Sequence, residues 1–214
     1  MHNADPSHRI RTLAGIAAAL ILIVFGMGAV VKGIDGRSTV RDALALEAVK
    51  GAEGMTPSVI AAKTKAAGLT NVELPTCSVE GKAVDNGTDA RCFAQYMRVD
   101  ALLATGGMTY AQMPRYASKD GKGTNVEAEA VKLPNGVGMP NPARNVWITE
   151  TALSTALNTS YMAEQISLFG IAVGGAFLLV GLAFGAVALG GVKRPARKPA
   201  VARKRHGTKA TQPA

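Results

Sequence analysis

The chain has 214 residues, 48% of them hydrophobic, and a formal charge of +9 that is unevenly placed. Two of its 24 Lys and Arg precede residue 13 and eight follow residue 192, while the 14 between are balanced by 14 Asp and Glu, so the middle segment is neutral and the net charge sits in the tails. All three histidines, His2, His8 and His206, lie in the tails, which excludes Ser-His or Cys-His catalysis and histidine metal ligation between them.

Leu13 to Val31 contains no ionisable residue and is long enough to cross a hydrocarbon core of about 30 Å as a helix. This apolar run exceeds the usual ~7–15 residues of a signal peptide, and no Ala-x-Ala site precedes Lys32, so it reads as a retained span. Thr39 and Asp42 resemble a capping box before Val40, Leu44 and Val49, which predicts a short helix near 39–50. Thr56 before Pro57 predicts an N-cap with proline at the first helical position, and Gly68 a stop, around Val59 and Ile60. Residues 71–89 carry Val72, Leu74, Val79 and Val84 between Pro, Gly and Asn, which suits a small β-hairpin or an irregular loop. Ala90 to Thr105 reads as the clearest soluble helix, with Phe93, Met97, Ala101 and Ala104 on one stripe and Gly106-Gly107 ending it.

From Ala117 to Asn141 the composition turns to Gly, Asn, Lys and Pro, with a strand hint only at Asn125 to Leu133. A loop of this length is usually mobile or partner-bound. Asn141-Pro142 then opens a helix whose pattern passes through Ile148, Leu153, Ala156 and Leu157 into a second uncharged stretch, Ile166 to Val192. One helix of about fifty residues would be ~75 Å long and would project outside a bilayer. The Lys/Arg/Pro/Ala-rich segment 193–214 is expected to be disordered.

Charge sets the expected topology. The second span is followed by Lys193, Arg194, Arg197, Lys198, Arg203, Lys204, Arg205 and Lys209, whereas the nearest basic residue before it is Arg144. The positive-inside rule therefore places the C-terminus in the cytoplasm, and two spans place the N-terminus there too. The layout is a cytoplasmic N-terminus (1–12), a span (13–31), an extracytoplasmic domain (32–165), a span (166–192) and a basic cytoplasmic tail (193–214), in the plasma membrane. Both cysteines, Cys77 and Cys92, fall in the external domain, which fits a disulfide formed on the oxidising side. Closing a loop of that length contributes about 3 kcal/mol on the chain-entropy model. The domain has 31 Val, Ile, Leu, Met, Phe or Trp among its 134 residues, a thin core that leans on such a staple.

The second span also carries a specific spacing. Gly170, Gly174, Gly181 and Gly185 lie on a stripe about 60° wide at 100° per residue. Gly15, Ala19 and Gly26 occupy the matching offsets of the first span. Two G-x-x-x-G pairs of this kind allow close helix approach, so a packing role is expected, within the hairpin and against a membrane-protein partner. Asp85, Asn86 and Asp89 around Gly87 miss the spacing of an EF-hand loop and read as a solvated turn. The basic tail is a topology determinant that would also suit anionic lipid and, less well, nucleic acid. No cofactor is expected.

The segments Ala104 to Met113 (ATGGMTYAQM) and Trp147 to Gly174 (WITETALSTALNTSYMAEQISLFGIAVG) resemble those of small two-span membrane proteins of actinobacteria. Members have an external helix ending in a Gly-Gly-x-Thr-Tyr-Ala type motif and a polar Thr/Ser/Asn-rich helix running into the last span. The resemblance covers most of residues 10–190 in layout and implies the same architecture. Some members are labelled aromatic ring-opening dioxygenases. Such iron enzymes use two histidines and a carboxylate, which this chain does not have outside its tails, and no catalytic residue carries over. The expectation is a mainly α membrane protein, two transmembrane helices with a small, mostly helical extracytoplasmic domain, acting as a non-enzymatic accessory or interaction subunit at the envelope. An extracytoplasmic sensor or small-ligand-binding module is the second reading, and an enzyme the third.

Overall fold

A computed structural model describes residues 6–190, which include the four α-helices α1 (Pro6–Leu46), α2 (Pro57–Ala66), α3 (Gly87–Ala104) and α4 (Ala143–Gly190). The basic stretch 193–214, expected to be disordered, lies outside the described residues, as do the first five residues of the N-terminal segment. Helices α1 and α4 are both long and apolar enough to cross a membrane. Their bulky side chains point outward, with Phe25 68%, Phe169 70% and Leu179 71% exposed, a distribution that suits hydrocarbon rather than water.

The separate helix expected at 39–50 does not form, because α1 continues unbroken to Leu46. Thr39 is not a cap there; its hydroxyl donates to the Asp35 carbonyl at 2.9 Å, one helical turn back. Gly33 and Gly36 do not interrupt the helix, since each lies against α4. A Cβ at Gly33 would come within 2.6 Å of the Ser167 carbonyl oxygen, and one at Gly36 within 2.7 Å of the Ser167 hydroxyl. The intrinsic cost of a mid-helix glycine, about 1 kcal/mol, is offset by that approach.

Two compact units result, one made of the chain up to Val24 and from Leu178 onward, the other of Phe25–Phe177. In the first, α1 and α4 meet through small residues and nothing else is present among the described residues. The second contains the remaining turns of both helices with α2, α3 and the connecting loops. Its main core is Ile60, Val79, Cys92, Tyr96 and Val99, with smaller clusters around Leu44, Val84 and Ala90 and around Ala101, Met113 and Trp147.

Among the described residues no β-strand is present, so the hairpin suggested for 71–89 and the strand hint at 125–133 are both corrected. The Val79–Val84 stretch does not pair with its own neighbours. It bridges back to the residues after α1, Lys50 to Ala83 and Gly51 to Glu80. Gly51 permits this because its missing Cβ leaves room for the Val79 carbonyl. Over 125–133 the chain makes a 3-10 turn at Glu127–Glu129 instead. The long 117–141 loop, expected to be mobile or partner-bound, has its own backbone bonding. Tyr116 exchanges both backbone hydrogen bonds with Thr124 (3.0 and 2.9 Å), and Val131 N–H donates to the Ala117 carbonyl at 2.9 Å.

Helix α2 begins at Pro57 after Thr56, and Gly68 follows it with φ +71°. Helix α3 starts three residues earlier than expected, capped by the Asn86 side chain, which accepts from Asp89 N–H at 3.0 Å. The same side chain donates to Asp89 Oδ2 at 2.6 Å and Asp85 Oδ1 at 3.1 Å, so this acidic turn serves as a helix cap. The stripe expected on α3 is also shifted. Phe93 and Met97 are half-buried and Ala104 is exposed, whereas Ala90, Cys92, Ala94, Tyr96, Val99 and Ala101 are buried. Alanine ranks low on hydropathy but admits close helix approach, and here it outranks methionine.

Candidate functional site

The expected packing residues of both long helices lie at the α1–α4 contact in each unit. In the first unit a Cβ at Gly181 would stand 2.9 Å from Ile23 Cγ1 and 3.1 Å from the Ala19 carbonyl oxygen. Gly185 faces the Ala19 Cβ at 3.8 Å and Gly15 the Ala188 Cβ at 3.2 Å, and Ala19 is itself buried. In the second unit a Cβ at Gly174 would meet the Gly26 carbonyl oxygen at 2.7 Å and Val30 N at 2.9 Å. Gly170 is looser, 3.7 Å from the Ala29 carbonyl oxygen. Gly33 belongs to this contact but lies past the apolar run and was not among the expected packing residues. The seven-residue step from Ala19 to Gly26 to Gly33 is the signal that finds it.

Just beyond the glycines sits a buried carboxylate. The Glu164 side chain on α4 is 4% exposed, and its Oε1 accepts from Arg37 Nε of α1 at 2.8 Å, with Arg41 Nε 3.9 Å away. Its Oε2 accepts from Gly87 N–H at 2.6 Å, the first N–H of α3. A carboxylate at a helix N-terminus is favoured by the unpaired amides and by the dipole. A Cβ at Gly87 would press on Glu164 Oε2 and on the Tyr161 Cα, both at 2.8 Å, so only glycine fits. Burial by itself would raise the Glu164 pKa. The hydrogen bonds from Arg37 and Gly87, with the charges of Arg37 and Arg41, outweigh it and hold the carboxyl below its ordinary value. One side chain thus ties α1, α3 and α4 together.

Further out, Cys77 and Cys92 form a disulfide, with their Cα atoms 6.1 Å apart, that pins α3 to the preceding loop. The Tyr96 hydroxyl, one turn along α3, donates to the Cys77 carbonyl at 2.7 Å. Staple and hydrogen bond hold the same strip of loop against the main core, where Cys92 and Tyr96 are both buried.

The segments Ala104–Met113 and Trp147–Gly174 come together at Trp147. Its indole N–H donates to the Met108 carbonyl at 2.9 Å, inside the turn that Gly106 and Gly107 make at φ +63° and +81°. Met113 and Ala101 share a buried cluster with Trp147, Arg98 of α3 covers the ring at 5.3 Å from its centre, and Arg144 stacks on Tyr110 at 3.9 Å. The Gly-Gly-Met-Thr-Tyr motif therefore docks the end of α3 onto the start of α4. Its conformation requires glycine at two left-handed positions.

Two kinds of surface remain open on this domain. One is an apolar groove of about 560 Å³ lined by Tyr110, Trp147, Ile148, Thr151, Ala152 and Thr155. The other is a polar cleft of about 440 Å³ between the Arg91–Gln95–Arg98 face of α3, the 71–75 loop and Asn158 of α4. No family model, curated protein or solved structure matches the chain.

Proposed function

We infer that the protein is a two-span membrane protein of the cell envelope, both termini cytoplasmic, whose external domain is a non-enzymatic interaction module for another membrane protein. The observation that carries this reading is the outer face of α4 before the second span. Ile148, Ala152, Thr155, Thr159 and Met162 recur at the 4-3-4-3 spacing of a helix-packing seam, and all are exposed. Ile148 is 55% and Met162 63% exposed, which costs solvation unless another surface covers them. The Tyr110–Ile148 groove lies beside this seam and offers an aromatic anchor of the kind that dominates interfaces. The two-span layout of the actinobacterial proteins that the chain resembles is in keeping with it, as is a basic tail suited to holding the cytoplasmic end at an anionic leaflet.

A photo-crosslinking residue placed at Ile148 in native membranes should yield one discrete protein adduct. The same residue at Thr88, exposed on the far end of α3, should yield none. Ile148→Asp should abolish recovery of the adduct's partner in mild detergent. Equal adducts from both positions, or lipid adducts alone at Ile148, would count against the interaction reading.

A further inference from the structure

We propose that the polar cleft beside α3 is a binding site for a small organic dianion, a linear molecule with a carboxylate or phosphate at each end. This goes beyond the partner-docking role of the α4 seam and depends on different residues.

Arg91, Gln95 and Arg98 follow one another at i, i+4 and i+7 and so share one face of α3, lining a cleft whose other wall is the 71–75 loop with Asn158 of α4. The two arginines are seven residues apart, which separates their Cα atoms by about 10 Å along the helix axis. Each guanidinium is held over a ring of α4, Arg91 at 4.7 Å from the centre of Tyr161 and Arg98 at 5.3 Å from that of Trp147. Ring stacking fixes the plane of a guanidinium yet leaves its edge N–H groups free to donate.

Among the described residues neither arginine has an ion pair; the basic residues that do are Lys32, Arg37 and Arg41. Arg37 and Arg41 both face the buried carboxylate of Glu164. Among the described residues Arg91 and Arg98 have no such partner, so both charges are available to a ligand in the cleft. Oriented guanidinium edges bind carboxylate and phosphate bidentately. Gln95 lies between them along the helix and Asn158 of α4 lines the same cleft, so neutral amides accompany the two charges. A volume of about 440 Å³ is that of a small-molecule site. Glu73 on the loop wall is the one acid lining the cleft, and it repels an anion.

The test is calorimetric titration of the full chain in mild detergent, at constant ionic strength, with linear dicarboxylates from succinate to sebacate and with acetate and hexanoate as single-acid controls. Saturable binding with one optimum chain length, about tenfold or more tighter than the single acids, is expected. Arg91→Gln and Arg98→Gln should each weaken the optimum ligand about tenfold, since each removes one charge-assisted pair. Glu73→Gln should tighten it. The thermal midpoints of the arginine variants should stay near that of the parent, which keeps a binding loss distinct from unfolding. No saturation by any dicarboxylate up to about 10 mM would overturn the assignment. So would equal affinity in the double arginine variant, or binding of a polyanion such as heparin without any small dianion.

Discussion

Leucine in place of Gly174 or Gly181 should lower the thermal stability of the detergent-solubilised protein sharply, whereas leucine at Gly175 or Gly190 should leave it nearly unchanged. The distinction rests on what a side chain would meet. At Gly174 an added Cβ meets the Gly26 carbonyl oxygen at 2.7 Å, Val30 Cγ2 at 2.8 Å and Val30 N at 2.9 Å, and at Gly181 it meets Ile23 Cγ1 at 2.9 Å and the Ala19 carbonyl oxygen at 3.1 Å. Backbone of a neighbouring helix cannot rotate aside, so the helices must separate. Overpacking of this kind costs typically about 1–3 kcal/mol, and the upper end is expected where a whole leucine replaces a hydrogen. Lipid offers little hydrophobic drive for helix association, so the close approach lost is the main attraction between the two helices. Gly175, the immediate neighbour of Gly174, and Gly190 have nothing within 4 Å of an added Cβ. Equal loss at all four positions would mean that the glycines are compositional and not an interface.

Removal of Glu164 should have an effect of similar size and a pH signature of its own. Glu164→Ala leaves the buried Gly87 N–H without an acceptor and frees Arg37, which is 40% exposed and regains water. A lost hydrogen bond to a charged group costs about 1.5–3 kcal/mol, so a loss of about 3 kcal/mol for the pair is expected once the solvation of Arg37 is allowed for. The folded-state carboxyl is held below its ordinary value of 4.5. Its stabilisation is therefore complete above that value and is lost as the pH falls through the lower folded-state value. The parent should lose thermal stability on acidification below about pH 4.5 faster than Glu164→Gln, whose amide does not titrate. Parallel acid limbs in the two proteins would show that Glu164 is not the titrating tie.

The parts of the fold that depend on near neighbours are visible in the sequence. The offsets of Gly170, Gly174, Gly181 and Gly185 define a stripe from spacing alone, though only the folded chain supplies the atoms they face. Thr56-Pro57 and Gly106-Gly107 mark helix ends because caps are local chemistry. The hidden parts depend on distant partners. Glu164 stands in a Thr/Ser/Asn-rich helix, and its partner Arg37 is 127 residues away. Gly33 lies beyond the apolar run, among Lys32, Asp35 and Arg37, where falling hydropathy conceals that the helix and its packing continue. The strand-like Val79–Val84 stretch pairs with residues after α1 through Gly51, a long-range choice that alternation cannot reveal. The polar cleft is likewise assembled from three separate segments. Only the i, i+4, i+7 step of Arg91, Gln95 and Arg98 shows in the sequence, where it looks like any solvated helix face.

In the proposed arrangement a disulfide-pinned domain stands outside the membrane between two spans, with both ends inside. This arrangement is tested most directly by labelling intact cells with a membrane-impermeant thiol reagent, using single cysteines in a background without Cys77 and Cys92. Lys122→Cys, on an exposed part of the 117–141 loop, should react fully, and Lys204→Cys in the basic tail should react only after the cells are permeabilised. Labelling of Lys204→Cys in intact cells with Lys122→Cys protected would contradict the account, since the domain would then face the reducing side.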